Sequence, residues 1–275
     1  MQHSQSDHWR EYLMEAGGLG LFMILACVFT ALLEHPGSPV RQWIHNTFIR
    51  RSIIGVGMGL TAIGLIYSPW GKQSGAHLNP SVTITFLRLG KLTPTDAFFY
   101  VLAQFVGAYA GVLVSAVFLR HWISHPAVNY AATVPGSPGT TVAFSAELVI
   151  SFFLMAVILF VSNSKSFPAL TGIVAGILIA TFISLEAPLS GMSMNPARTL
   201  GSALSSRVWK SWWIYFVAPP IGMLLAAEFY RRLRGVNGVM CAKLNHQNNK
   251  RCIFHCGFRE TAMETSDLRM VQGQH

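Results

Sequence analysis

Two ten-residue stretches carry the densest chemistry in the chain. Ser74 to Thr83 reads SGAHLNPSVT and Ser190 to Thr199 reads SGMSMNPART, so Ser-Gly-x-x-x-Asn-Pro-small recurs 116 residues further on. Asn accepts from the free N–H groups of a first helical turn, and Pro at the first helical position gives up no intrahelical hydrogen bond. Asn79-Pro80 and Asn195-Pro196 each follow a long apolar run. Each precedes about ten residues without loop signals, enough for a short helix and too few to cross a bilayer. A single Asn-Pro pair is an ordinary helix start. Two matched copies in a hydrophobic chain read as re-entrant half-helices whose N-termini meet around a polar site. Ser81 and Ala197 complete the two boxes, and Arg198 follows the second.

Other reactive side chains fall into two groups. Glu15 and Glu147 stand early in apolar segments, where a carboxylate must be paired or hydrogen-bonded. Near the end, Cys241, His246, Cys252, His255 and Cys256 lie within sixteen residues. Zinc takes such ligands four at a time, and a short helix over Cys252–Cys256 would gather three of them. Their spacing fits no zinc ribbon or finger, so free thiols, redox sensing and a docking segment stand beside a metal site. No acid–base pair or activated nucleophile is legible, and an enzyme is not expected.

The elements that must hold these residues are apolar. Of 275 residues 52% are hydrophobic and only 11% are charged, against about 25% in soluble domains. Eighteen Phe, seven Trp and 24 Gly complete a membrane composition. The formal charge of +9 points to anionic lipid and to orientation rather than to nucleic acid. No cleavable leader is expected from the polar opening MQHSQSDHWREY. Four cysteines make no disulfide framework, since Cys27 lies in an apolar segment.

Hydropathy and breakers predict spans over residues 12–33, 51–67, 94–119, 142–161 and 168–185, with a sixth from Trp209 to Arg231-Arg232. Half-helices are predicted over residues 80–87 and from Pro196 to about Leu204. Each half then reads as span with an early Glu, span, Asn-Pro half-helix, span. Three spans per half invert the second half relative to the first and put both termini on one side. With the termini inside, 13 of the 20 Lys and Arg are internal, in line with positive-inside orientation. The domain reading is 1–11 as an N-terminal segment, 12–234 as the channel domain with repeats 12–119 and 142–231, and 235–275 as a Cys/His tail that turns disordered from Glu260.

The two boxes resemble the signature of the major intrinsic protein family, the aquaporins and aquaglyceroporins. The first departs from it in Ser81, where Ala is usual. The resemblance covers roughly Glu15 to Arg231. It implies an all-α membrane protein, a right-handed bundle of six transmembrane helices plus two re-entrant half-helices in an inverted repeat. It also implies a homotetramer with one pore per subunit. The implied function is passive permeation of water or another small neutral solute, with no cofactor required and zinc or another metal confined to the tail. Cations are excluded by the half-helix N-termini and by Arg198. The implied filter is Met58, Ile183, Met192 and Arg198, with Gly57 and Gly59 as alternatives to Met58 because residues 67–75 run one residue long. Glu15, Glu147 and His77 are implied supports of the loops. The filter lacks the histidine usual in water channels and the aromatics usual in glycerol channels. Thr199, Ala203 and the Tyr215-Phe216 pair favour water, which is the main expectation. Glycerol, ammonia or hydrogen peroxide is the alternative, and a closed structural homologue is another. Short loops suggest a bacterial inner membrane with both termini cytoplasmic.

Overall fold

In the computed structural model, residues 8–258 are described and no strand occurs among them. Six long helices and two short ones make the framework: α1 Trp9–Glu34, α2 Thr47–Tyr67, α3 Pro80–Arg88, α4 Pro94–Leu119, α5 Thr140–Ser162, α6 Thr171–Leu185, α7 Pro196–Ser206 and α8 Ile214–Arg234. Five of the long ones are long and apolar enough to cross a membrane, α6 together with its leading turn from Pro168. The sixth, α8, has 21 residues, but Pro219 and Pro220 inside it and Arg231, Arg232 and Arg234 in its last turn dilute its hydropathy. Large apolar side chains such as Leu60, Phe98, Val117, Phe118 and Ile177 are exposed on the bundle's outside. That surface suits lipid rather than water.

Helix ends follow local chemistry more closely than hydropathy did. The second span opens at Thr47 rather than Arg51, because the Asn46 carboxamide accepts from the Phe48 and Ile49 amides at 2.9 and 3.2 Å. The first opens at Trp9, and the last begins at Ile214, leaving Trp209 outside it, ahead of a turn over residues 210–213. The extra length after α2 is taken up by a six-residue helical turn, Pro69–Ser74, capped by Ser68.

The inverted repeat is visible in the packing. Helix α1 packs mainly on α4 and α5 on α8, while α2 and α6 pair across the repeat axis. Each half-helix crosses over, α7 lying on α4 and α3 on α8. Glycine permits the closest approaches: a Cβ on Gly107 would sit 2.1 Å from the Ala16 carbonyl oxygen, and one on Gly59 would sit 2.4 Å from that of Gly176. Tyr12 and His8 at the start of α1 both reach Asp96 at the start of α4. Residue Met240 beyond α8 donates to Asn163 at the end of α5. The two described ends of the chain therefore share one side of the bundle.

Candidate functional site

The two boxes fold alike. Gly75 and Gly191 end short helical turns in the left-handed region, at φ +96° and +79°, where an L side chain is disfavoured. Ala76, Leu78, Met192 and Met194 also have positive φ, at a cost of about 1–2 kcal/mol each. What holds them is a buried carboxylate in each half. Glu15 accepts from the Ser74 hydroxyl at 2.8 Å, the His77 and Leu78 amides at 3.0 and 2.6 Å, and the Gln104 amide at 2.9 Å. Glu147 accepts from the Ser190 hydroxyl and the Ser193 and Met194 amides, each at 2.7 Å. Tyr100 and Tyr215 donate to the carbonyls of Ser74 and Ser190 in turn. A Ser, a left-handed Gly and a Glu from the preceding repeat helix thus make one loop twice.

The loops meet through their asparagines. Asn79 Oδ1 caps α3 by accepting from the Ser81 amide, and Asn195 Oδ1 caps α7 by accepting from the Ala197 and Arg198 amides. Asn79 Nδ2 donates to the Met194 carbonyl at 2.7 Å, and Asn195 Nδ2 donates to the Leu78 carbonyl at 2.8 Å. Each carboxamide has two N–H donors, so one hydrogen on each ties the loops together and the other is free of any hydrogen bond among the described residues. Pro80 and Pro196 open the two half-helices.

Both asparagines line a cavity of about 550 Å³. Glu34, Thr47 and Arg51 border its far end, and Ile66, Ile158 and Leu244 border its end on the termini side. Met58, Ile183, Met192 and Arg198 all line it. Neither alternative to Met58 does, since Gly59 faces the Gly176 backbone and Gly57 the Phe29 ring. The Arg198 Nη1 is buried and makes no hydrogen bond among the described residues. Ser81 Oγ is buried without a hydrogen bond as well.

The positions read as favouring water lie off the cavity. Thr199 Oγ1 is within 2.6 Å of Ser193 Oγ and 2.9 Å of Thr133 Oγ1. Tyr215 braces the second loop, and Phe216 stacks on Phe105 and meets Trp212 edge to face. These residues shape loops and helix contacts rather than touch a solute. His77 is buried: Nε2–H donates to the Ala242 carbonyl at 2.9 Å, which leaves Nδ1 to face Thr83 Oγ1 at 3.1 Å.

Sequence reasoning missed where the tail goes. Ala242 belongs to an irregular segment after α8 that folds back over the first box. Leu244 N–H donates to the Gly75 carbonyl at 3.1 Å, and the Phe254 ring stacks on His77. Cys241, His246, Cys252 and Cys256 come together with all ligand atoms within 4.8 Å, a set able to hold a metal ion. His255 does not join them, because its Nδ1 lies 2.9 Å from the Gly90 carbonyl oxygen. The segment from Arg251 to Cys256 is irregular rather than helical, which removes the i,i+4 argument that included His255. Hydrogen bonding with Cys252 and Cys256 raises His246 to about 9. Contacts with Cys241 and Cys252 hold the Cys256 thiol well below its usual value, and hydrogen bonding with Cys252 and Cys256 pushes the Cys241 thiol up. The stretch from Glu260 lies outside the described residues.

Comparison with known proteins fits this geometry. Residues 2–230 match the family described as major intrinsic protein. The chain is 37% identical over 180 residues to a probable aquaporin of NIP type from Nicotiana alata, covering 65% of this chain and 64% of that one. It is 35% identical over 181 residues to aquaporin NIP3-1 from Zea mays, covering 64% and 58%. The match thus spans a little under two thirds of these relatives' own length. Among solved structures, the aquaglyceroporin from Plasmodium falciparum superposes with a TM-score of 0.70 at 25% identity, over 82% of this chain and 97% of that one. The chain, with its paired half-helix loops and crossed repeats, belongs to the major intrinsic protein family.

Proposed function

We propose that the protein is a passive facilitator of small neutral solutes, glycerol-sized polyols among them, rather than a channel restricted to water. The observation that carries this is the lining beside Arg198. Met58, Ile183 and Met192 line the same cavity as Arg198, and none of the four is a histidine or an aromatic residue. Methionine is flexible and polarisable, so the ring can widen for a carbon backbone while Arg198 donates to a hydroxyl. A filter histidine would instead narrow the opening and add a donor suited to water. The resemblance to an aquaglyceroporin structure supports the same side.

In this reading the solute sheds its water at the Arg198 ring and regains hydrogen bonds from the free N–H groups of Asn79 and Asn195. Two half-helix N-termini directed at that point add partial positive charge. Together with Arg198 they make any cation, a proton included, costly at mid-pore. Glu15, Glu147 and His77 act by fixing the loops. Placing the termini in the cytoplasm follows from the charge bias, and a homotetramer is consistent with the exposed apolar flanks.

The test is a Met58→Trp variant in proteoliposomes, beside the unaltered chain. Stopped-flow light scattering should show glycerol re-swelling reduced several-fold while water-driven shrinkage falls less. Equal glycerol rates, from protein that remains monodisperse, would remove Met58 from the constriction and the apolar-filter argument with it.

A further inference from the structure

We propose that Cys241, His246, Cys252 and Cys256 bind one zinc ion, and that this ion holds residues 239–257 as a cap over the pore mouth on the termini side. The four side chains converge from four positions spread along an irregular segment. Cys241 Sγ lies 3.6 Å from Cys252 Sγ, and Cys256 Sγ lies 3.0 Å from His246 Nε2. A tetrahedral site with Zn–S of about 2.3 Å has S···S edges of roughly 3.7 Å, so the thiols already stand near ligand spacing. All the cysteines are free, and a sulfur pair at 3.6 Å is not a disulfide. Three thiolates and one imidazole match the zinc preference for soft and borderline ligands in a closed structural site.

The segment needs such a clamp. Beyond the short turn Val236–Gly238 the described tail has almost no regular secondary structure, yet Val239, Cys241, Ala242, Leu244, Cys252 and Phe254 are buried. A stretch this short cannot pay from its own core for the entropy of being fixed, and metal binding is a standard source of the missing folding energy. Its docking contacts reach both repeats. Ala242 and Leu244 are bonded to the first box at His77 and Gly75, the His255 amide donates to the Lys91 carbonyl, and the Met240 amide donates to Asn163.

The cap bears on the pore because Leu244 lines the cavity itself. Its backbone is bonded to the residue four before Asn79, so the cap cannot leave without freeing that end of the loop. The gating half of the proposal rests on the channel reading above: the zinc-loaded cap narrows the mouth, and loss of the metal releases Leu244 and opens it.

Two readouts on the full-length protein separate the halves. Metal analysis of reduced, detergent-purified protein exposed to ZnCl2 alone should give one zinc per chain. Co(II) in its place should give the visible absorption of a tetrahedral thiolate site, and Cys252→Ser with Cys256→Ser should abolish both. Folded, reduced protein that binds neither metal would overturn the site, and a Cys241–Cys252 disulfide formed instead would mark the cluster as a redox pair. In proteoliposomes, glycerol permeability should rise several-fold after chelation and in a Leu244→Ala variant that still binds zinc. Unchanged permeability in both would overturn the gate and leave the site standing. No permeability in any state would refute the channel reading, while the metal content still decides the site.

Discussion

At the scale of single residues, the account turns on which buried polar groups are satisfied. Glu147 takes three donors from the second loop, two of them backbone amides that no other acceptor serves. Glu147→Gln presents an amide N–H where a donor already points. The expected loss is about 2–3 kcal/mol for unmade bonds to a buried charged acceptor, read as a lower melting temperature and a lower yield of monodisperse protein. Ser81 is the opposite case, a buried hydroxyl that no protein group satisfies. Ser81→Ala should leave permeability unchanged and stability equal or higher by about 1 kcal/mol, measurable by thermal unfolding in detergent. A clear loss of stability would mean that the hydroxyl has a partner outside the protein. The filter positions Met58, Ile183, Met192 and Arg198 came from the family resemblance, whose Asn-Pro boxes fix a register along the chain, and all four line the cavity. Thr199 and Tyr215 misled because residue type shows that a position is constrained without showing what it touches. Both turn out to brace loops away from the cavity.

At the scale of elements, the bundle depends on backbone-to-backbone contacts that only glycine allows. Gly107→Ala would put a Cβ 2.1 Å from the Ala16 carbonyl, which neither helix can relieve without moving apart. Because α7 also lies on α4, the shift would reach the Arg198 half-helix. Both thermal stability and permeability are expected to fall, whereas Gly64→Ala, whose Cβ meets nothing within 4 Å, should be neutral in the same assays. The spans, their number and the repeat were legible from hydropathy and from the two boxes. The third span's ends and the last residues Tyr67 and Leu185 were legible as well, but the starts at Trp9, Thr47 and Ile214 were not, since caps such as Asn46 set them through hydrogen bonds that a hydropathy window averages away. The tail was least legible. It docks through main-chain groups, such as Leu244 N–H to the Gly75 carbonyl, and those leave no mark on residue type. Its metal-competent group was readable as a composition, but helical spacing wrongly enlisted His255.

At the scale of the whole molecule, two inverted halves cross their half-helices so that each half completes the other's loop. The cavity exists only where they join. Its lining is largely apolar, with Asn79, Asn195, Arg198, His77, Ser193, Asn129 and Thr30 as polar members beside the rim, which suits an uncharged permeant carrying its own hydroxyls. The most direct measurement is a stopped-flow comparison of water, glycerol and proton flux in proteoliposomes of the full chain, with its metal removed and with empty vesicles as reference. The expected result is fast shrinkage, glycerol re-swelling well above the empty vesicles, and no increase in proton leak. Fast water flux with glycerol at the empty-vesicle rate would contradict the neutral-solute reading and return the protein to a water-selective channel with a narrow methionine gate.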